Sequence, residues 1–286
     1  MILGRLRRSN PRKLNGKVVV ITGAAAGIGE ATARLLVADG AQVALIDRDE
    51  GGVRAVAESL GSRAEAFVAD VCDAAALERT MAEVINRFGG IDMLIANAGI
   101  IGPVKTFAAV DPDAFERVIE VNILGVSRTV RAALPSILNR KGYVLVIASA
   151  AAAIPTPTIA AYGVSKAGAE AFGRSLRMEL TETGATAGVA YFGLIDTGMV
   201  RNDLLDGTGL EVVLAPLPKW FRKPAPVDDA ARALVRGITA RARWVYAPGY
   251  LPVLLALRTT IALAEPLLAR STRLRAAIRQ ADAATG

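Results

Sequence analysis

The chain has 286 residues, enough for one large domain or two small ones with a sizeable buried core. Its residues are 52% apolar but only 5% aromatic, so the core must be built from Ala, Val, Leu and Ile. A single cysteine, Cys72, excludes an internal disulfide, and the absence of histidine leaves no conventional zinc site, so no metal is expected.

The net charge of +7 is unevenly placed. Residues 1–17 hold six basic side chains (Arg5, Arg7, Arg8, Arg12, Lys13, Lys17) and no acid, and residues 230–286 hold nine basic and two acidic ones, which leaves the middle of the chain net acidic. A nucleic-acid binder is expected to carry its basic stripe on the folded core, so no nucleic-acid partner is expected here. The basic ends suit solubility, an anionic partner or an anionic membrane surface. MILG runs straight into RLRR with no apolar stretch between, so no secretory signal is read and a cytoplasmic protein is expected, with peripheral membrane contact a further option.

Taken in order, residues 1–14 form a basic arm and Lys17–Gly23, KVVVITG, is a β-branched run suited to a buried parallel strand. It enters TGAAAGIG and then EATARLLVADGA, which has helical spacing and stops at Gly40. Strand, glycine turn, helix is the context in which a glycine triplet binds a dinucleotide. Gly23 permits the turn, Gly27 lets the backbone approach a pyrophosphate beside Ile28, and Gly29 allows close helix–strand packing. The helix N-terminus offers unpaired N–H groups to the phosphates. A second strand, QVALIDRD, ends at Asp47, eighteen residues after Gly29. An acid there accepts hydrogen bonds from both ribose hydroxyls and repels a 2′-phosphate, which favours NAD over NADP; the competing role is a cap on the next helix. Arg48 adjoins it, but Ala26 offers no second basic contact for such a phosphate.

Arg63–Val71 reads as a third strand, with Asp70 placed to meet an adenine edge and Val71 to pack on the ring, or with Asp70 merely capping a loop. A helix at Asp73–Phe88 leads to a fourth strand, IDMLIANAG, closed by Asn97, Ala98 and Gly99 at the edge where open parallel sheets bind ligands. A helix over Pro112–Arg140 carries Asn122, either a satisfied packing residue or a water holder in a proton path. The fifth strand, GYVLVIASA, delivers Ser149. The helix Thr158–Thr183 then bears Tyr162 and Lys166, four residues apart and so on one face. A lysine ammonium near a phenol favours the phenolate and lowers its pKa, while a serine hydroxyl can bond the oxygen of a carbonyl or alcohol as the tyrosine moves its proton. Without histidine, a tuned tyrosine is the available base. Tyr and Lys at this spacing are also ordinary helix-surface residues, so the case rests on the whole pattern. TAGVAYFG gives a sixth strand. The βαβ alternation predicts an α/β fold: a doubly wound, mostly parallel Rossmann-like sheet of about seven strands over residues 15–249, with helices on both faces.

TGAAAGIG, Asp47, Asp70, Asn97–Gly99, Asn122, Ser149 and YGVSK together resemble the short, single-domain branch of the short-chain dehydrogenase/reductases, over about residues 15–200. The resemblance implies an oxidoreductase that interconverts a secondary alcohol and a ketone. Tyr162 is then the acid/base, Lys166 lowers its pKa and holds the nicotinamide ribose, Ser149 orients the substrate oxygen, and Asn122 anchors a relay water. Ile195 and Thr197 match positions that contact the nicotinamide carboxamide, and the family's habit implies a homodimer or homotetramer. One departure is plain: the usual Pro-Gly after the sixth strand is Phe192-Gly193, where Phe192 either walls the nicotinamide pocket or belongs to the core.

Residues 198–226, with Trp220 and Phe221, read as an apolar substrate loop, so a small apolar alcohol or ketone is the expected substrate. Val227–Arg241 is a last helix and RWVYAPG a seventh strand. The helical extension 250–286 is interrupted by Arg258, Glu265 and Pro266 and is too short in its apolar runs to span a bilayer. It completes the substrate pocket, contacts another subunit, or anchors the protein to a membrane. Two non-enzymatic readings compete: a dinucleotide-binding regulator on the same fold, and a membrane-docked scaffold driven by the basic ends.

Overall fold

The computed structural model describes residues 14–201 and 223–283. The basic arm and most of the apolar loop, with Trp220 and Phe221, lie outside these residues. Seven strands form one sheet: β1 (Val18–Thr22), β2 (Gln42–Asp47), β3 (Ala64–Val68), β4 (Met93–Ala96), β5 (Tyr143–Ser149), β6 (Thr186–Phe192) and β7 (Trp244–Ala247). Their order is β3-β2-β1-β4-β5-β6-β7, and all six pairings are parallel. The continuous apolar runs follow from this: β1 and β5 are buried along their whole length, because helices cover both faces. The strand order reverses between β1 and β4, which opens a crevice beyond their C-terminal ends.

The helices are α1 (Gly27–Ala38), α2 (Glu50–Leu60), α3 (Ala74–Phe88), α4 (Pro112–Ile119), α5 (Val126–Asn139), α6 (Ala160–Glu179) and α7 (Val227–Ala240). Two separate apolar cores result. One joins α1, α2 and α7 to the sheet through residues such as Leu36, Val53 and Leu234; the other joins α3, α5 and α6 through Leu77, Val130 and Leu176.

Three expected elements are corrected. The segment Pro112–Arg140 is not one α-helix: Glu120–Gly125 winds as a wide π turn between α4 and α5. The third strand stops at Val68, because Asp70 turns the chain by accepting a hydrogen bond from the Cys72 N–H at 2.9 Å. The helix expected over Thr158–Thr183 begins at Ala160, since Thr158 has a left-handed φ of 69°, and it ends at Glu179.

After β7 come three further helices, α8 (Leu251–Ala256), α9 (Arg258–Leu268) and α10 (Thr272–Ala283). They are tied to the body at two polar points. Arg258 reaches the Glu170 carboxylate at 3.2 Å, and Asp282 accepts hydrogen bonds from the N–H and the hydroxyl of Thr106 at 3.0 and 2.9 Å. Among the described residues, no helix is long and apolar enough to cross a membrane.

Candidate active site

The glycine turn is built so tightly that side chains cannot replace it. Gly23 has φ +67°, and a Cβ there would lie 2.8 Å from Ala98 Cα. A Cβ on Gly29 would lie 2.1 Å from the Gly23 carbonyl oxygen, far inside contact distance, so α1 starts against the turn only because position 29 is bare. Gly27, φ +60°, faces the Thr197 methyl across the crevice, 3.5 Å from where its own Cβ would be. Ile28 is half-buried on the α1 core. Thr22 and Asn97 lock the turn to the end of β4: Thr22 Oγ1 accepts from the Asn97 and Ala98 N–H groups at 3.1 and 3.2 Å, and Asn97 Nδ2 donates to the carbonyls of Thr22 and Gly23 at 2.9 and 3.0 Å.

Asp47 closes the other side. Its Oδ2 accepts from the Ala25 N–H and its Oδ1 from the Asp49 N–H, each at 3.0 Å. The cap on α2 is Asp49, which accepts from Gly52 N–H, so Asp47 does not serve as that cap. Asp70 takes the loop-capping position that the sequence offered as its alternative role. The Asp70 oxygens are taken by Cys72 N–H and by Arg117 at 3.0 Å; partial burial disfavours the carboxylate, but these two partners outweigh it and hold the carboxyl below its usual range. Val71 is buried, its methyl only 2.7 Å from where a Gly125 Cβ would be, so it packs against the π turn.

The candidate proton-transfer groups meet at the end of β5. Ser149 is buried; its hydroxyl donates to the Phe192 carbonyl at 3.2 Å, accepts from Ala151 N–H at 3.2 Å, and lies beside the Tyr162 hydroxyl. Burial raises the Tyr162 pKa above the ordinary phenol value, and the Ser149 hydroxyl opposes that rise. Lys166 is 5% exposed, its Nζ donates to the Ile147 carbonyl at 3.1 Å, and it sits over the Tyr162 ring, 5.6 Å from the centroid. Burial lowers its pKa to about 8. The expected depression of the tyrosine by the lysine is therefore absent in the free protein: the ammonium is spent on a backbone carbonyl and lies over the ring instead of at the hydroxyl.

Asn122 is fully buried in the π turn. Its side chain accepts from Ile100 N–H and donates to the Ile100 carbonyl, both at 2.8 Å, and donates to Ser165 Oγ at 2.9 Å. Ser165 in turn donates to the Tyr162 carbonyl at 2.7 Å. This chain of bonds joins the loop after β4 to the first turns of α6. A Cβ on Gly99 would lie 3.3 Å from Lys166 Nζ, which brings the glycine-side loop and the lysine into one cleft.

Phe192 is 5% exposed and packs with Ile195, Ala230 and Val245, so it belongs to the core. Ile195 pairs with Ala225 where the chain returns from residues 202–222, and Thr197 Oγ1 accepts from Val200 N–H at 3.4 Å in the turn Gly198–Val200. Beside Tyr162 lies an apolar wall of Ile101, Val104, Ile159, Leu194 and Val200.

A family model described as short chain dehydrogenase matches residues 17–206, two thirds of the chain and every residue of this cleft. The chain belongs to the short-chain dehydrogenases. This short-chain dehydrogenase is 35% identical over 241 residues to 2,3-dihydro-2,3-dihydroxybenzoate dehydrogenase of Bacillus subtilis, covering 80% of this chain and 92% of that protein. It is 32% identical over 249 residues to 11-beta-hydroxysteroid dehydrogenase A of Sesamum indicum, covering 83% and 70%. Among solved structures, a short-chain dehydrogenase/reductase from Burkholderia phymatum in complex with NAD matches its fold with a TM-score of 0.74 at 22% identity, over 88% of this chain and 96% of that one. A 3-ketoacyl-(acyl-carrier-protein) reductase from Brucella melitensis complexed with NADH gives 0.71 at 26%, over 82% and 97%.

Sequence reasoning missed Thr22, Ser165, Glu170 and Arg117. Ser165 was within reach, because it stands inside YGVSK beside the lysine. Arg117 and Glu170 gave no signal, since their partners lie 47 and 88 residues away in the chain.

Proposed function

We propose that this short-chain dehydrogenase interconverts a secondary alcohol and a ketone on a small apolar substrate, using NAD. The observation that carries the reading is the convergence of Ser149, Tyr162 and a buried Lys166 at the end of β5, opposite the bare glycine turn. The cleft fits the cofactor in its own chemistry. The absent Cβ atoms of Gly23, Gly27 and Gly29 leave backbone at the α1 N-terminus for phosphates. Each Asp47 oxygen holds one N–H and retains a lone pair for a ribose hydroxyl. Arg48 adjoins Asp47 and is exposed, but the Asp47 charge opposes a 2′-phosphate and the neutral Ala26 adds no second cation. When bound, the nicotinamide supplies the hydride chemistry.

The protein's own part is the proton. Ser149 holds the substrate oxygen against Tyr162, which gives or takes the proton at its hydroxyl. Lys166 has two further N–H bonds beyond the one to Ile147, and these suit the hydroxyls of a nicotinamide ribose. A positive charge arriving in the cleft favours the phenolate and draws the tyrosine pKa down from its raised value. The wall of Ile101, Val104, Ile159, Leu194 and Val200 favours an apolar substrate body.

The test is calorimetric titration of NAD and NADP into the wild type and Asp47→Asn. Asparagine keeps an acceptor for one of the two loop N–H groups, so the turn survives while the charge that repels a 2′-phosphate is removed. The wild type should bind NAD at least tenfold more tightly than NADP, and the variant should lose that preference. Binding of neither nucleotide by the wild type, or an unchanged preference in the variant, would overturn the reading.

A further inference from the structure

A second concavity lies away from the catalytic groups. A groove of about 1620 Å³ runs between the first turns of α6, the segment Ala151–Pro157 and helices α8–α10. Helix α6 contributes Ala160, Gly163, Val164 and Ala167, the face turned away from Tyr162 and Lys166, so the groove is not a continuation of the catalytic cleft. Its walls are apolar, with Ile154, Leu254, Ile261 and Ile278 among them.

The surface around this groove is unusual in two respects. Of the ten large apolar side chains exposed among the described residues, four fall between positions 253 and 267: Val253 at 65%, Leu257 at 47%, Leu263 at 79% and Leu267 at 68%. Val253 and Leu257 stand at the groove. Leu263 and Leu267, four residues apart on α9, form a ridge on the side facing solvent and are absent from the groove lining. Following α9 in the chain, α10 buries Leu274 and Ala281 and exposes Arg275, which lines the groove, and Arg279, while Arg270 is exposed in the preceding turn. None of these three arginines has an ion pair among the described residues, whereas Arg258 is already neutralised by Glu170.

We propose that this C-terminal face docks on an anionic lipid bilayer, with the α8–α9 apolar side chains entering the headgroup boundary and Arg270, Arg275 and Arg279 at the phosphates. The charge selects this occupant. A second copy meeting the same face through a two-fold axis brings two sets of unpaired arginines together, which repel. An anionic surface supplies the missing counter-charges and takes up the leucines at the same time, the two signals that stable interfacial docking requires. The basic stretch at residues 1–17 carries the same sign. The inference is independent of the substrate and cofactor assigned above.

The experiment is co-sedimentation of the full chain with phosphatidylserine–phosphatidylcholine vesicles and with phosphatidylcholine vesicles. Three proteins are compared: wild type, Leu263→Gln/Leu267→Gln, and Arg275→Gln/Arg279→Gln. All four positions are exposed on helices, so melting temperature and nucleotide binding should match wild type. Wild type should partition at least about tenfold better onto the anionic vesicles, in a salt-sensitive way, and each double variant should lose most of that advantage. Equal partition onto both vesicle types, or wild-type binding by the leucine variant, would overturn the proposal. So would a concentration-dependent dimer, seen by analytical ultracentrifugation without lipid and abolished by the leucine substitutions, because a second copy then covers the face.

Discussion

Replacing Lys166 with methionine should make the free protein more stable while removing its activity. The ammonium is buried, and its one hydrogen bond among the described residues goes to the Ile147 carbonyl. Burial brings its pKa from 10.5 to about 8, a gap worth about 3 kcal/mol of cost to the charged form at neutral pH. Methionine fills a similar volume without charge, but it leaves the Ile147 carbonyl without this donor, which costs about 1 kcal/mol. The balance is a stabilisation of about 2 kcal/mol at pH 7. Its pH dependence is distinctive. Below about pH 8 folded and unfolded wild type both carry the proton, so the full cost is present. Between about 8 and 10.5 the folded state releases the proton first, the unfolded chain binds more protons, and wild-type stability gains on that of the variant as pH rises. Urea unfolding of both proteins between pH 7 and 10 measures this directly. A variant less stable than wild type at pH 7, or a difference that does not change with pH, would refute the reasoning.

Gly29→Ala places a methyl 2.1 Å from the Gly23 carbonyl oxygen, so α1 must shift away from the turn. We expect a loss of about 2 kcal/mol in stability and at least a hundredfold weaker nucleotide binding, measured by thermal unfolding and calorimetry. Glu170 receives Arg174 at 3.1 Å and Arg258 at 3.2 Å, with its side chain only 4% exposed. Glu170→Ala should therefore cost about 2 kcal/mol and speed proteolysis within α8–α10. Arg258→Gln, at a half-exposed partner, should cost less than half as much; the reverse order in parallel unfolding curves would contradict this reading of the Glu170–Arg258 tie.

The sheet was legible because its strands are buried on both faces. The runs KVVVITG and YVLVIAS have no polar face to lose, and each ends at a residue placed in the crevice. The glycine turn was legible for a similar reason: backbone crowding at positions 23 and 29 admits only one residue type. The π turn at Glu120–Gly125 was not, because one widened turn hardly disturbs the helical period on either side, and the bonds that reward it run from Asn122 to Ile100 and Ser165. The packing of Asp70 and Val71 against Arg117 and the Gly125 turn was not legible, because these partners come from elements distant in sequence. The same holds for Lys166: four-residue spacing correctly put it on the face of Tyr162, but spacing says nothing of the Ile147 carbonyl on the neighbouring strand that accepts its hydrogen bond. The groove behind α6 depends on helices nearly a hundred residues further along the chain.

The most direct test of the account is turnover of apolar secondary alcohols with NAD, followed by NADH fluorescence, in wild type and Tyr162→Phe. Phenylalanine keeps the ring beside Lys166 and Ile159 and removes only the hydroxyl near Ser149. The account predicts wild-type NADH affinity and a rate reduced at least a thousandfold. A Tyr162→Phe protein that turns over an alcohol at close to the wild-type rate would contradict it.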